Sequence, residues 1–88
     1  MQLITDVLEL RNKLLSLTSS IFFVRITGEK SAYSTDYTPL ESAEWINRYA
    51  ESIVFCSEDY VTLDTRDGTK FKLTIWRNVP QRVSMMEI

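Results

Sequence analysis

The side chains best equipped for chemistry in this 88-residue chain are carboxylates, and they gather in its middle. Between Asp36 and Asp67 stand Asp36, Glu41, Glu44, Glu51, Glu58, Asp59, Asp64 and Asp67, opposed only by Arg48 and Arg66. That segment carries −6, while the whole chain carries −2. Paired carboxylates can act as general acid and base when a cleft drives their pKa values apart. Glu58-Asp59 reads as a turn, and Glu41 with Glu44 as one exposed helical turn, so neither pair is expected to work that way. On an open surface the same acids have another use, which is to steer a basic partner into contact.

The remaining catalytic options are thin. There is no histidine, and Cys56 is the single cysteine. A cysteine zinc site, a histidine-ligated metal and an intrachain disulfide are therefore excluded. A nucleophilic Cys56 would lack an imidazole base, and its neighbours Ile53, Val54 and Phe55 would raise a thiol pKa. Cys56 is expected to be a buried structural residue. Gly28 and Gly68 are the only glycines, so no glycine-rich phosphate loop can form. A carboxylate-only magnesium site is the one metal option left by composition. The expectation is a chain without catalysis, metal or cofactor.

A second constellation mixes aromatic and basic residues: Tyr60, Thr62, Lys70, Lys72, Thr74 and Trp76, with Arg77 beside them. Aromatics interleaved with bases on an open sheet bind single strands by stacking plus charge. Against that reading, Lys70 is expected to face Asp64, no aromatic ribonucleoprotein motif is present, and the pI is about 5.0. The favoured expectation is a non-catalytic protein-binding module. Glu41, Glu44, Glu51, Glu58 and Asp59 would steer a basic partner, and exposed aromatics would anchor it, drawn from Trp45, Tyr33, Tyr37, Tyr49, Tyr60 and Trp76. A short, acidic, motif-free chain has the format of phage-type counter-defence or anti-CRISPR-like inhibitors, which cover a basic nucleic-acid-binding surface of a larger machine. The alternatives are single-strand binding through Tyr60, Lys70, Lys72, Trp76 and Arg77, or a dimerising structural module.

These residues need elements to hold them. Leu3, Val7, Leu10, Leu14 and Leu17 repeat at spacings of three and four, which predicts an amphipathic helix over 3–17. Their a/d series could seam a homodimer, but its shortness favours packing on the chain's own sheet. Residues 21–27 are β-branched and aromatic, Gly28 to Ser31 reads as a turn, and 32–36 as a return strand. Thr38-Pro39-Leu40-Glu41 has a cap, a proline at the first helical position and a capping-box glutamate, predicting a helix over 39–51. Its apolar side would hold Leu40, Ala43, Ile46 and Ala50, with Trp45 and Tyr49 as further candidates. Its outer side would hold Glu41, Glu44, Arg48 and Glu51, with Glu44 and Arg48 able to pair.

Strands follow at 53–57, 60–65 and 69–76. A two-residue Asp67-Gly68 loop would set apolar residues against lysines. A three-residue loop with Gly68 left-handed instead opposes Leu63 to Phe71, Val61 to Leu73, Asp64 to Lys70 and Thr62 to Lys72. The second register suits both faces and is the one expected. Residues 83–88 form a short edge strand or a tail.

The order α-β-β-α-β-β-β predicts an α+β fold, an antiparallel sheet of about five strands with both helices on one face. Residues 1–88 are expected to form one compact domain. Asp6 and Glu9 near the start, with no basic n-region, argue against a signal peptide. No run of residues approaches the ~20 apolar positions of a membrane span. A lone cysteine fits a cytoplasmic setting.

Overall fold

The first element is set by a cap. Asp6 takes an extended conformation, and its carboxylate accepts the N–H groups of Leu8 at 2.7 Å and Glu9 at 3.1 Å. Helix α1 therefore spans Val7–Leu15, shorter than the expected 3–17 because Asp6 claims the capping position four residues later. The computed structural model describes residues 3–18 and 20–88. After α1 come β1 (Phe22–Gly28), β2 (Ser34–Tyr37), α2 (Pro39–Tyr49), β3 (Ala50–Cys56), β4 (Val61–Thr65), β5 (Lys70–Arg77) and β6 (Gln81–Val83). A 3-10 turn, Met85–Glu87, follows. The class is α+β with the expected order, and the final segment supplies a sixth strand.

All strand pairs are antiparallel, in the order β2-β1-β5-β4-β3. Strand β5 is the centre. One edge pairs with β1 along its length; the other pairs with β4 over residues 70–73 and with β6 over 75–77. Residues 83–88 thus divide: Val83 closes β6, and the 3-10 turn packs Met85 into the core.

Alternation sorts the sheet into two faces. Val24, Ile26, Val61, Leu63, Leu73, Ile75 and Val83 point to one side and are fully or almost fully buried. Leu10 and Leu14 of α1 and Ala43 and Ile46 of α2 close over them, so both helices cover the same face. Each fully buried Val, Leu or Ile here contributes roughly 1.5–3 kcal/mol of transfer free energy. The a/d seam of α1 is part of this core: Leu10 and Leu14 are buried, and Val7 and Leu17 pack against it. The seam packs within the chain, and Leu8 and Leu15 are the exposed apolar residues of α1.

Helix α2 carries the complete capping box. Glu41 N–H donates to Thr38 Oγ1 at 3.1 Å, and Thr38 N–H donates to Glu41 Oε1 at 2.9 Å. The helix stops at Tyr49 rather than residue 51, because Ala50 turns extended and opens β3. Glu51 therefore belongs to a strand, not to the outer face of α2. Leu40 is exposed, since it sits about 100° round the helix from Pro39 on the buried stripe. Among the described residues the ion pairs are Arg25–Asp36, Lys70–Asp64 and Arg77–Glu87; Glu44 and Arg48 do not pair.

The β4–β5 hairpin has the three-residue loop. Its register is Val61↔Leu73, Thr62↔Lys72, Leu63↔Phe71 and Asp64↔Lys70. Gly68 has φ +85°, and its N–H donates to Thr65 O at 3.0 Å. Cys56 is half-buried rather than buried, because β3 is an edge strand and only its inner side meets the core. Among the described residues, no helix is long and apolar enough to cross a membrane.

Candidate functional site

Helix α2 lies over the sheet with one flank facing the β1–β2 and β4–β5 turns. Trp45 and Tyr49, one helical turn apart, occupy that flank. The sheet supplies the opposite wall. Phe71 stands on the helix side of β5, across from Gly28, which has no side chain to fill the space. A Cβ on Gly28 would fall 2.2 Å from Ser31 Oγ, the atom that accepts the Tyr33 N–H. Tyr33 immediately precedes β2 and Tyr37 ends it, and their hydroxyls hydrogen-bond to each other.

Together these five aromatics wall a cleft of about 390 Å³. Trp45 meets Phe71 edge to face at 5.0 Å and Tyr49 at 5.3 Å, and Tyr33 meets Phe71 edge to face at 5.6 Å. Such contacts hold rings in place beyond their burial alone. Partial burial, reinforced by the Tyr33 hydroxyl, pushes the Tyr37 phenol up to about 12.

The rim is polar and mixed in charge. Arg66 donates to the Arg48 carbonyl at 2.6 Å and so ties the β4–β5 turn to the end of α2. The Asp67 carboxylate accepts the Thr65 hydroxyl and the Thr69 N–H, which hold it below the usual carboxylate range. A shallower depression of about 250 Å³ continues past Tyr37, Trp45, Arg48 and Tyr49 to Glu41 and Glu44. Three carboxylates thus border the groove, against two guanidinium groups.

The sheet face away from the helices is a second surface. There Phe23 lies directly across from Trp76, their rings parallel within 6° at 6.2 Å. Trp76 Nε1 donates to Thr74 Oγ1 at 3.0 Å, which turns the indole back along its own strand. The Arg25 guanidinium sits 5.2 Å from the Trp76 ring centre and 5.8 Å from that of Phe23, and Arg82 sits 5.4 Å from Trp76. Across the sheet Lys72 lies 4.9 Å from the centre of Tyr60, which meets Phe55 at 5.8 Å. Arg25 also pairs with Asp36 at 2.8 Å, and Lys70 with Asp64 at 2.9 Å; both cations are held above their usual pKa.

Of the residues expected to bind a partner, Glu41, Glu44 and Trp45 meet at the groove, joined by the proposed anchors Tyr33, Tyr37 and Tyr49. Glu51 sits instead in a depression with Arg11, Asn47 and Arg66 on the α1 side. Glu58 and Asp59 occupy the β3–β4 turn, at the far end of β3, where the Glu58 carbonyl accepts the Met85 N–H at 2.7 Å. The acids therefore form three separate sites rather than one patch. Tyr37, Trp45, Tyr60 and Trp76 are half-buried, while Tyr33 and Tyr49 are exposed.

Of the expected nucleic-acid face, Tyr60, Lys70, Lys72 and Trp76 do share the open side of the sheet. Arg77 does not; by alternation it projects to the helix side, where it lies over Phe22 and pairs with Glu87. Sequence reasoning missed Phe71 in the cleft and Phe23, Arg25, Phe55 and Arg82 on the open face. Phe23 and Arg25 had a signal, since alternation in β1 sets both opposite Val24 and Ile26. That this face adjoins Trp76 required the long-range β1–β5 pairing.

Among the described residues, no group of three or more His, Cys, Asp or Glu side chains could hold a metal ion. Compared with protein-family models, with curated proteins and with solved structures, the chain has no match in any of the three.

Proposed function

We propose that this protein is a non-catalytic binding module whose aromatic groove seats a basic segment of a larger protein. The observation that carries this reading is the convergence of Tyr33, Tyr37, Trp45, Tyr49 and Phe71 around one cleft. Trp, Tyr and Arg are the residues on which binding energy concentrates in protein interfaces, and ring faces attract the cationic heads of Lys and Arg. Glu41, Glu44 and Asp67 along the groove favour a basic segment over an acidic one. Arg48 and Arg66 sharpen that choice, because they repel a uniformly basic chain and admit one whose charges are spaced to avoid them. A module of this size bound over a basic, nucleic-acid-handling surface would inhibit by occupancy, as counter-defence and anti-CRISPR-like inhibitors do.

The test uses a fluorescein-labelled Lys/Arg-rich peptide and an acidic peptide of equal length, followed by anisotropy. The basic peptide binds, and the acidic one does not. Tyr49→Ala and Glu44→Lys each weaken binding by about tenfold, the loss of one anchor or one steering charge. Glu51→Lys leaves affinity unchanged, since Glu51 lies off the groove. Equal binding of both peptides, or equal loss from Glu44→Lys and Glu51→Lys, would sink the groove reading.

A further inference from the structure

We infer that the open face of the sheet is a second binding site, for single-stranded nucleic acid, independent of the groove on the helix side. The inference begins with where the fold puts its charges. The open face presents Arg25, Lys70, Lys72 and Arg82 against Asp36 and Asp64, with Glu29 beside Lys70, as the register of β1, β2, β4, β5 and β6 dictates. It is therefore net positive on a chain that is net negative. The low pI reports the helices and turns, not this surface. Asp36 and Asp64 are already paired, to Arg25 and Lys70. Among the described residues no ion pair engages Lys72 or Arg82, and both are exposed.

The aromatics have the arrangement that single strands need. Phe23 and Trp76 lie parallel, and the guanidinium groups of Arg25 and Arg82 lie over the indole. A base can stack on an aromatic ring or on a guanidinium plane, so this corner is a stacking platform whichever layer is outermost. Tyr60 with Lys72, beside Phe55, is a second platform. Phe23 on β1 and Phe55 on β3 are three strand spacings apart across the sheet, and their partners Trp76 and Lys72 are four residues apart along β5, so the platforms lie roughly 20 Å apart, room for more than one nucleotide. Exposed cations beside each platform would meet the phosphates. Stacking is indifferent to base identity, so the site would discriminate single strands from duplexes rather than one sequence from another.

The experiment is an anisotropy titration of a labelled oligothymidine about 12 nucleotides long, within the usual span for one small domain, and of a duplex of the same length. It is run at about 50 mM and about 150 mM salt. The single strand binds, more tightly than the duplex, and affinity falls with salt. Lys72→Glu with Arg82→Glu lowers affinity by at least about tenfold and reduces the slope of log K against log salt by about 1.4, two phosphate contacts at ~0.7 each. In a Trp45→Phe background, where Trp76 is the only tryptophan, bound oligonucleotide quenches its fluorescence. No binding at low salt overturns the inference and leaves this face to an acidic protein surface. So does equal affinity for single strand and duplex, or an unchanged affinity in the double reversal. Because Tyr49 and Glu44 line only the helix-side groove, Tyr49→Ala should leave oligonucleotide binding intact, which keeps this test separate from that of the peptide site.

Discussion

Glu41 has two roles that a single pair of substitutions separates. It closes the capping box of α2, and it borders the aromatic groove. Thr38→Ala removes the acceptor for the Glu41 N–H, now 3.1 Å from Thr38 Oγ1. Loss of a threonine cap costs about 1 kcal/mol, within ~0.5–2. For a chain of this size that is a fall in melting temperature of roughly 4–8 °C. Glu41→Gln should behave differently. A glutamine at this position keeps an oxygen to accept the Thr38 N–H, now 2.9 Å from Glu41 Oε1, so the box survives. What it loses is a negative charge in the first turn, about 0.3–1 kcal/mol at an exposed helix end. Glu41→Ala loses both contributions. Thermal and urea unfolding followed by circular dichroism should therefore rank Glu41→Gln as milder than Glu41→Ala. Thr38→Ala and Glu41→Ala together should cost less than their sum by ~0.5 kcal/mol or more, because each removes half of one reciprocal device. In the peptide assay Glu41→Gln should still weaken binding, since the groove has lost a carboxylate. A Thr38→Ala variant as stable as wild type, or a Glu41→Gln variant as unstable as Glu41→Ala, would refute the capping argument.

Gly68 is the one described residue with positive φ, and an added Cβ there meets nothing within 4 Å. Gly68→Ala should therefore cost about 1–2 kcal/mol in urea unfolding through backbone strain alone, with the sheet intact by circular dichroism. Tyr37, with its phenol pushed up to about 12 from 10.0, holds its proton more tightly folded than unfolded. The stability this provides is fully present below pH 10 and is lost as pH rises through the folded value. Alkaline absorbance titration should show one late tyrosine that disappears in Tyr37→Phe, and Tyr33→Phe should bring it forward by removing the hydroxyl partner.

What could be read in the sequence was local. Thr38, Pro39 and Glu41 announce a helix start because the capping box needs only four consecutive residues, and its geometry is the same in any fold. The β4–β5 register was legible because only one loop length puts apolar residues opposite apolar ones on one face and Asp64 opposite Lys70 on the other. The misreadings were also physical. Nothing in the apolar spacing distinguishes residues 3–5 from the helix they precede; Asp6 decides that, by accepting two N–H groups. Residues 50 and 51 continue the period of α2, yet both belong to β3: Ala50 turns extended and pairs with Thr65 of β4, and Glu51 falls at the irregularity before Ser52 pairs with Asp64. The sites were the least legible part. Tyr33 and Phe71 are far apart in the chain and meet only because β1 lies between β2 and β5, and the same crossing places Phe23 against Trp76.

That crossing also explains why net charge misled. A pI describes the whole chain, whereas a ligand meets one face. An antiparallel sheet covered on one side sends alternate residues to opposite environments, so it separates charges by parity of position. In β5, Lys70 and Lys72 share a parity with Thr74 and Trp76, while Leu73 and Ile75 take the other. Half of the acids stand on α2 and in the turns, which the sheet's alternation does not reach. The fold thus sets an aromatic groove bordered by carboxylates on its helix side, and aromatic platforms bordered by cations on its open side. The two surfaces predict opposite preferences for the charge of a ligand. A ligand that bound both surfaces with one salt slope would contradict the segregation from which each proposal starts.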